Sequence, residues 1–219
     1  MIPPESNGQF VADMEKVLDV YKRPYDAKHP VICMDESPKQ LIRETRLGKP
    51  MRKGKDALVD YEYFRCGVCN IFMASEPLTG KRYTNVTEQK TKQDWARYIQ
   101  EVIDKNFSKA EKVTLVMDNL NTHCSGSFYE TFKPKESKRL MDKIEFVFTP
   151  KHGSWLNMAE IELNVLTKQC LNRNIDNMKT IRTEVAAWQK HRNKKSKKID
   201  WQFTTSDARI KLKKLYPSI

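Results

Sequence analysis

Three short apolar segments constrain the fold of this chain more than any other feature of its sequence. Residues 31–37, 113–119 and 144–150 each contain an apolar run that is typical of a buried strand. Between them, residues 89–106 and part of 124–141 repeat apolar side chains at helical spacing. Because strands joined through helices favour parallel pairing, this order predicts a mixed sheet flanked by helices, a three-layer α/β/α domain.

The rest of the chain predicts a hairpin, a loop and further helices. Two strands are joined by a turn that contains Pro77 and Gly80; the predicted strands cover 58–75 and 82–87. The polar and basic segment before this hairpin, 39–55, is predicted to be a surface loop. Apolar spacing predicts helices at 10–21, 155–171 and 177–192.

Composition narrows the class of protein. The 219 residues are 39% hydrophobic and carry a net charge of +12, which favours a globular domain with a polyanionic partner. That partner is nucleic acid or an anionic membrane surface; a merely basic protein is the alternative. No apolar run could cross a bilayer and the start lacks a signal peptide pattern, so a cytoplasmic protein without a membrane role is expected. Five scattered cysteines fit a reducing compartment, and Cys66 and Cys69 lack the second ligand pair of a zinc site.

Acidic residues mark a candidate site. Asp35 and Asp118 each follow an apolar run, at the strand ends where open α/β sheets carry their sites; helix or turn capping is the alternative for each. On the helix predicted at 155–171, Glu160 lies on the apolar stripe, whereas Glu162 lies about 160° away and is expected to be solvated. A carboxylate that faces the core needs a partner, either a metal ion or a salt bridge at the core edge.

Converging carboxylates would suit divalent cations. Mg²⁺ takes oxygen ligands and leaves positions for phosphate oxygens and water. Two such ions, roughly 3.5–4 Å apart, activate the attacking oxygen and stabilise the leaving one. Asp35, Asp118 and Glu160 could hold them only if the elements that carry them meet.

Three blocks of the sequence resemble the DDE-type transposases of the bacterial IS630 group, within the Tc1/mariner superfamily. They are CMDESPKQL at 33–41, VMDNLNTH at 116–123 and TPKHGSWLNMAEIELNVL at 149–166. The resemblance implies an RNase H-like fold, with Asp35, Asp118 and Glu160 as the catalytic metal ligands. It implies two Mg²⁺ ions, for which Mn²⁺ could substitute. Further residues of these blocks are expected to be neighbours of the metal site or to position Glu160, with packing or capping as the alternative: Asn119, His123, His152, Ser154, Trp155 and Asn157.

The resemblance also implies a reaction and partners. Hydrolysis of a phosphodiester at a transposon end would be followed by attack of the freed 3′-OH on target DNA. The partners would be transposon-end and target DNA, with a homodimer in the active complex and association with the nucleoid. The implied domains are a helical lead-in (1–30), an RNase H-like catalytic domain (31–175) and a C-terminal helix with a basic tail (176–219). Relatives carry helix-turn-helix modules before the catalytic domain, and 34 residues precede Asp35, so autonomous transposition is not expected of this chain alone.

Basic residues concentrate in two segments. Residues 39–55 hold seven basic residues and one acidic residue, and residues 188–219 hold ten and two. The first segment is expected to leave the strand end beside Asp35. Candidate DNA contacts are Lys39, Arg43, Arg46, Lys49, Arg52, Lys53, Lys55, Lys194, Lys195, Lys197 and Lys198. Two other functions stay open: another RNase H-like nuclease such as a resolvase, and an inactive relic that only binds DNA.

Overall fold

A five-stranded mixed sheet forms the centre of the computed structural model, which describes residues 7–46, 48–58 and 60–217. The sheet order is β3-β2-β1-β4-β5. β1 pairs antiparallel with β2 and parallel with β4, which confirms the predicted mixed sheet. The strands are β1 (Val31–Glu44), β2 (Tyr63–Glu76), β3 (Lys81–Thr87), β4 (Val113–Met117) and β5 (Ile144–Phe148).

Helices cover both faces of this sheet. They are α1 (Gly8–Tyr21), α2 (Lys92–Asn106), α3 (Ser125–Thr131), α4 (Pro134–Lys143), α5 (Met158–Leu166), α6 (Met178–Lys195) and α7 (Thr205–Lys211). Pro134 occupies the first turn of α4, where its missing N–H costs no helical hydrogen bond. None of the helices in the described part of the chain has the length and apolar character needed to span a bilayer.

Side chains alternate between the two faces, and this alternation produces the three layers. Ile32 and Met34 of β1 pack in a cluster with α2, whereas Cys33 between them packs in a second cluster with α1. In β4, Leu115 belongs to the first cluster and Val116 to the second. Strands with both faces buried carry continuous apolar runs, which is why the sequence identified β1, β4 and β5.

β1 is longer than the sequence predicted. The segment 39–55 was expected to be a loop, but β1 continues to Glu44 because β2 pairs with it as far as Tyr63. Cross-strand backbone hydrogen bonds with β2 stabilise this polar extension, in which Leu41 is buried and only the last two residues, Arg43 and Glu44, are exposed. The chain then passes through an irregular tip with two isolated bridges, Lys49 with Leu58 and Arg52 with Lys55.

The helix predicted at 155–171 is interrupted. A short 3₁₀ turn (Ser154–Leu156) precedes α5, and a π-helical turn (Thr167–Leu171) follows it. Asn157 has an extended backbone and caps α5, since its side chain accepts a hydrogen bond from the Ala159 N–H at 3.1 Å. Ser154, the cap considered from sequence, therefore does not begin this helix.

Candidate active site

Asp35 and Asp118 are brought to one level of the sheet by the pairing of β1 with β4. Cys33 lies opposite Val116 in parallel register, so two further residues along each chain lead to Asp35 and Asp118. β4 ends at Met117, whereas β1 continues and pairs only with β2. The two aspartates thus lie where the parallel pair separates, which is the position that carries ligand sites in open α/β sheets.

Asp35 is in an environment that disfavours its charged form. Burial is the largest cause, and it raises the pKa of the Asp35 carboxyl to about 7. The negative charges of Asp118, Glu36 and Glu160 raise it further, while a 2.8 Å hydrogen bond from the Glu36 backbone N–H lowers it. An excess of negative charge therefore surrounds Asp35, and a bound cation would relieve it.

Asp118 is held by a histidine. Nδ1 of His123 lies 2.6 Å from Asp118 Oδ1. Burial raises the pKa of Asp118, but the hydrogen bond and charge of His123 outweigh it, so the pKa is lowered overall. Burial lowers the pKa of His123, yet the carboxylates of Asp118 and Glu36 together raise it to about 9. At neutral pH the pair is thus a carboxylate beside an imidazolium.

Glu36 is a site residue that sequence reasoning missed. Its Oε2 lies 3.0 Å from Nε2 of His123, and its Oε1 lies 3.3 Å from Nζ of Lys90. Its side chain is only 4% exposed. The sequence feature that could have identified Glu36 is its position as a second acid directly after Asp35, next to the buried part of β1.

Glu160 reaches the site from α5. It lies in the first turn of this helix and is half-buried. Asn157 fixes the start of the helix, because its Nδ2 donates a 2.8 Å hydrogen bond to the carbonyl of Met34, next to Asp35. Within the described ranges, no three His, Cys, Asp or Glu side chains are close enough to hold a metal ion together. Asp118 and Glu160 are nevertheless both near enough to Asp35 for their charges to raise its pKa.

The loop before α5 shapes one wall of this site. His152 is exposed and has a φ of 65°, a left-handed backbone that is uncommon outside glycine. Gly153 must be glycine, because a Cβ there would lie 2.5 Å from the Pro150 ring. A notch of about 270 Å³ lies between this loop and Asp118, and exposed Asn119, Lys151, His152 and Ser154 contribute to its lining.

Trp155 has a packing role. It is partly buried against the cluster formed by α1 and the C-terminal segment, with its ring centroid 6.0 Å from that of Phe203. This contact attaches the loop before α5 to the rest of the fold. Trp155 thus stabilises the loop by packing.

Glu162 was expected to be solvated, and this expectation is wrong. Its side chain is 1% exposed and lies 2.6 Å from Arg82 and 3.1 Å from Arg192. Burial raises the pKa of the Glu162 carboxyl, but the two arginines lower it overall. The helical wheel treated the side of α5 away from the apolar stripe as exposed, whereas β3 and α6 cover it.

The basic residues lie in two separate places. Lys39 is half-buried and donates a 2.7 Å hydrogen bond to the Leu171 carbonyl, and Arg43 lies over the Phe64 ring at 4.9 Å.

The hairpin tip does not lie beside Asp35, as was expected. Since β1 continues nine residues past Asp35, the end of this strand lies about 30 Å from Asp35 at ~3.3 Å per residue. The other basic candidates are all exposed: Arg46, Lys49, Arg52, Lys53 and Lys55 around the hairpin tip, and Lys194, Lys195, Lys197 and Lys198 at the end of α6.

The basic residues at the end of α6 lie near the end of β2 that is opposite to the hairpin tip. Gly80, in the turn that follows β2, is packed against the backbone of Ser196. The Ile199 N–H also donates to the Pro77 carbonyl at 3.0 Å. The two basic groups are therefore separated by roughly the length of β2, with Asp35 nearer to the second group because it pairs with Met73.

The fold and the site together define the class of protein. The chain is an RNase H-like domain of the nuclease class, with a mixed five-stranded sheet, helices on both faces and acidic residues where β1 and β4 separate. The family model described as "DDE superfamily endonuclease" matches residues 30–182. The chain therefore belongs to this family of endonucleases.

Solved structures with a similar fold are Mos1 mariner transposase complexes. The paired-end complex with Mn superposes with a TM-score of 0.58 at 13% identity and covers 87% of this chain and 58% of that one. The Mos1 strand transfer complex gives 0.56 at 12% identity, over 87% of this chain and 56% of that one. The paired-end complex with Mg gives 0.57 at 11% identity, over 100% and 66%. The chain thus spans little more than half the length of the first two, and no curated protein matches it.

Proposed function

We propose that this chain is the catalytic part of a transposase, which cleaves DNA phosphodiesters and transfers a DNA strand in a reaction that depends on divalent metal ions. One observation carries the proposal. The register of β1 against β4 leads to Asp35 and Asp118 at one level of the sheet, and Asp118 and Glu160 are both near enough for their charges to raise the pKa of Asp35. The family model and the fold shared with Mos1 mariner complexes support it.

Two Mg²⁺ ions, replaceable by Mn²⁺, are the metals we propose for Asp35, Asp118 and Glu160. The donor set fits, because all three are hard carboxylate oxygens and the charges of Asp118 and Glu160 both disfavour the charged form of Asp35 when no cation is bound. When bound, such ions activate the attacking oxygen and stabilise the leaving oxygen. The chain itself contributes the orientation of the acids: His123 holds Asp118, and Asn157 holds the start of α5.

The exposed basic residues would bind the DNA backbone on either side of the acids. We propose that the hairpin tip and the end of α6 each contact phosphates. The similar Mos1 structures are paired-end and strand transfer complexes, which supports transposon-end and target DNA as partners and a homodimer as the active form. We further propose the domain limits 1–30, 31–175 and 176–219, and action at the nucleoid in the cytoplasm.

A nicking assay tests the proposal without knowledge of a transposon-end sequence. The full chain is incubated with supercoiled plasmid and Mn²⁺ or Mg²⁺, and relaxed and linear products are quantified. Nicking is expected to depend on metal and to fall at least 100-fold in Asp118→Asn. Glu111→Gln is the control, because this exposed acid forms ion pairs with just two surface residues in the described ranges, Lys28 and His29.

Three outcomes would separate the alternatives. Nicking that survives Asp118→Asn unchanged contradicts the metal site. Salt-dependent DNA binding without any cleavage favours an inactive relic. Strand transfer of an oligonucleotide 3′ end into the plasmid distinguishes a transposase from another RNase H-like nuclease.

DNA binding by the basic residues has its own test. Replacing Arg52, Lys53 and Lys55 by glutamine should reduce the slope of log K against log salt by about 0.9 for each phosphate that the variant no longer neutralises. Glutamine at Lys28, Lys105 and Lys138, each paired with an exposed acid, is the matched control. An equal slope in both triple variants contradicts a role of the hairpin tip in DNA binding.

A further inference from the structure

We propose that Glu36 is a positioning residue that acts through His123 to fix the carboxylate of Asp118. The inference rests on the proposed function, since it concerns the orientation of an acid of that same site. It assigns a task to a buried glutamate that is not one of the three acids of the resemblance. The argument begins with the face of the sheet on which Glu36 lies.

Strand alternation separates Glu36 from Asp35. Met34 packs with α2 on one face of the sheet, and Cys33 packs with α1 on the other. Because successive side chains of a strand point to opposite faces, Asp35 lies on the face of Cys33 and Glu36 on the face of Met34. Glu36 therefore approaches the site from the α2 side of the sheet.

His123 bridges the two acids from that side. Its ring is fully buried, with Nδ1 at 2.6 Å from Asp118 Oδ1 and Nε2 at 3.0 Å from Glu36 Oε2. The second contact is an ion pair without the alignment of a hydrogen bond, because both atoms are buried and lack a hydrogen-bond partner among the described residues. The bridge thus joins β1 to the turn that follows β4 at the level of Asp35 and Asp118.

The surroundings leave the imidazole little freedom. The ring packs against Trp95 with centroids 5.7 Å apart, and the His123 backbone N–H donates to the Leu120 carbonyl at 2.8 Å. Lys90 binds the other oxygen of Glu36 at 3.3 Å. A rigid imidazole held between two carboxylates fixes the rotation of both, so Asp118 Oδ1 is directed toward the protein.

A purely stabilising role explains this arrangement poorly. Buried ion pairs contribute little net stability compared with well-packed apolar groups, because desolvation offsets the attraction. Partners that orient a metal-binding carboxylate, by contrast, typically change metal affinity or activity by about 10–100-fold when they are removed. Metal affinity and stability therefore distinguish positioning from packing.

The variants Glu36→Gln and His123→Asn, made in the full chain, test the bridge. Glutamine keeps the shape of Glu36 and removes its charge. Asparagine places its amide nitrogen where Nδ1 lies, so it retains a donor to Asp118 and loses the link to Glu36. Mn²⁺ binding to the DNA-free protein is measured by calorimetry, together with thermal unfolding, and Glu111→Gln is the control.

Each variant should weaken Mn²⁺ binding by about 10–100-fold, in addition to any fall in unfolding temperature that the loss of a buried ionic contact causes. The double variant should be no weaker than the single ones, because both interrupt one path. The proposal is overturned if the Mn²⁺ affinity of either variant stays within 3-fold of wild type, with or without a shift in unfolding temperature. It is also overturned if the losses of affinity in the two single variants add up in the double variant.

A second readout needs no metal. In the metal-free protein, the backbone amide NMR signals of residues 118–123 should shift in Glu36→Gln and stay in place in Glu111→Gln. Unshifted signals in Glu36→Gln would overturn the coupling. If the wild type binds no Mn²⁺, the proposed metal function fails, and these signals still decide whether Glu36 positions Asp118.

Discussion

The buried cluster of Arg82, Glu162 and Arg192 offers the most quantitative test of how this fold is held together. Arg82 and Glu162 are each 1% exposed and lie 2.6 Å apart, whereas Arg192 is 17% exposed and lies 3.1 Å from Glu162. The carboxylate thus compensates one fully buried guanidinium and one that water can reach. Glu162→Gln removes this charge with little change in volume.

The expected loss follows from what remains around Arg82. Its guanidinium would retain only neutral acceptors among the described residues, namely the carbonyl groups of Gly80 and Lys197 and the amide oxygen of the introduced glutamine. Removing one member of a buried ion pair typically costs about 3–5 kcal/mol, because the other charge stays buried without compensation. Arg192 can turn to solvent, so we expect a value near 3 kcal/mol. For a chain of this length, that corresponds to a fall of roughly 6–12 °C in Tm.

Urea unfolding at pH 7, followed by circular dichroism, measures this loss. Glu145→Gln is the control, because Glu145 pairs with the half-exposed Arg23 and its removal should cost about 1 kcal/mol or less. A double variant, Arg82→Met with Glu162→Leu, should recover much of the loss, since no buried charge is left unpaired. A loss below about 1 kcal/mol in Glu162→Gln would refute the reasoning.

Two further predictions concern stability. Because the arginines depress the pKa of Glu162 below its ordinary value of 4.5, its stabilising effect is present above that pH and is lost as the pH falls through the folded value. In urea unfolding from pH 7 to pH 3, the gap between wild type and Glu162→Gln should therefore shrink below about pH 4; a constant gap contradicts this. Gly80 and Gly54 have φ values of 71° and 76°, but only at Gly80 would a Cβ meet backbone, 2.6 Å from Ser196. By thermal unfolding, Gly54→Ala should cost about 1 kcal/mol and Gly80→Ala at least about 2 kcal/mol more, and equal costs would contradict the close packing.

The strands that the sequence predicted well are those with both faces buried. β4 and β5 were placed to within two residues at their ends, because Val113–Met117 and Ile144–Phe148 are mostly apolar, with one polar residue in each, Thr114 and Glu145. The extension of β1 past Ser37 could not be predicted from local pattern. Its polar residues form a strand because of β2, a partner that is distant along the chain.

The strand positions of Asp35 and Asp118 could be predicted from the sequence, whereas the side-chain contacts around these residues could not. Asp35 and Asp118 follow apolar runs, and this signal is local. The bridge through His123 to Glu36 depends on the alignment of two strands and the fold of a turn, which no spacing in the sequence encodes. Lys39 was predicted to contact DNA because it lies in a basic segment. In the structure its ammonium group donates a hydrogen bond to the Leu171 carbonyl, at the end of a π-helical turn that the apolar spacing did not predict.

The two glutamates of α5 show what a helical wheel can and cannot determine. Residues two apart in an α-helix differ by about 200°, so Glu160 and Glu162 must point to nearly opposite sides. The wheel cannot say whether both sides are covered, and here β3 and α6 cover the side of Glu162. Because Arg82 and Arg192 fix the direction of Glu162, they also fix the rotation of α5 about its axis. That rotation, together with the cap at Asn157, directs Glu160 away from the arginines and toward the strand that carries Asp35.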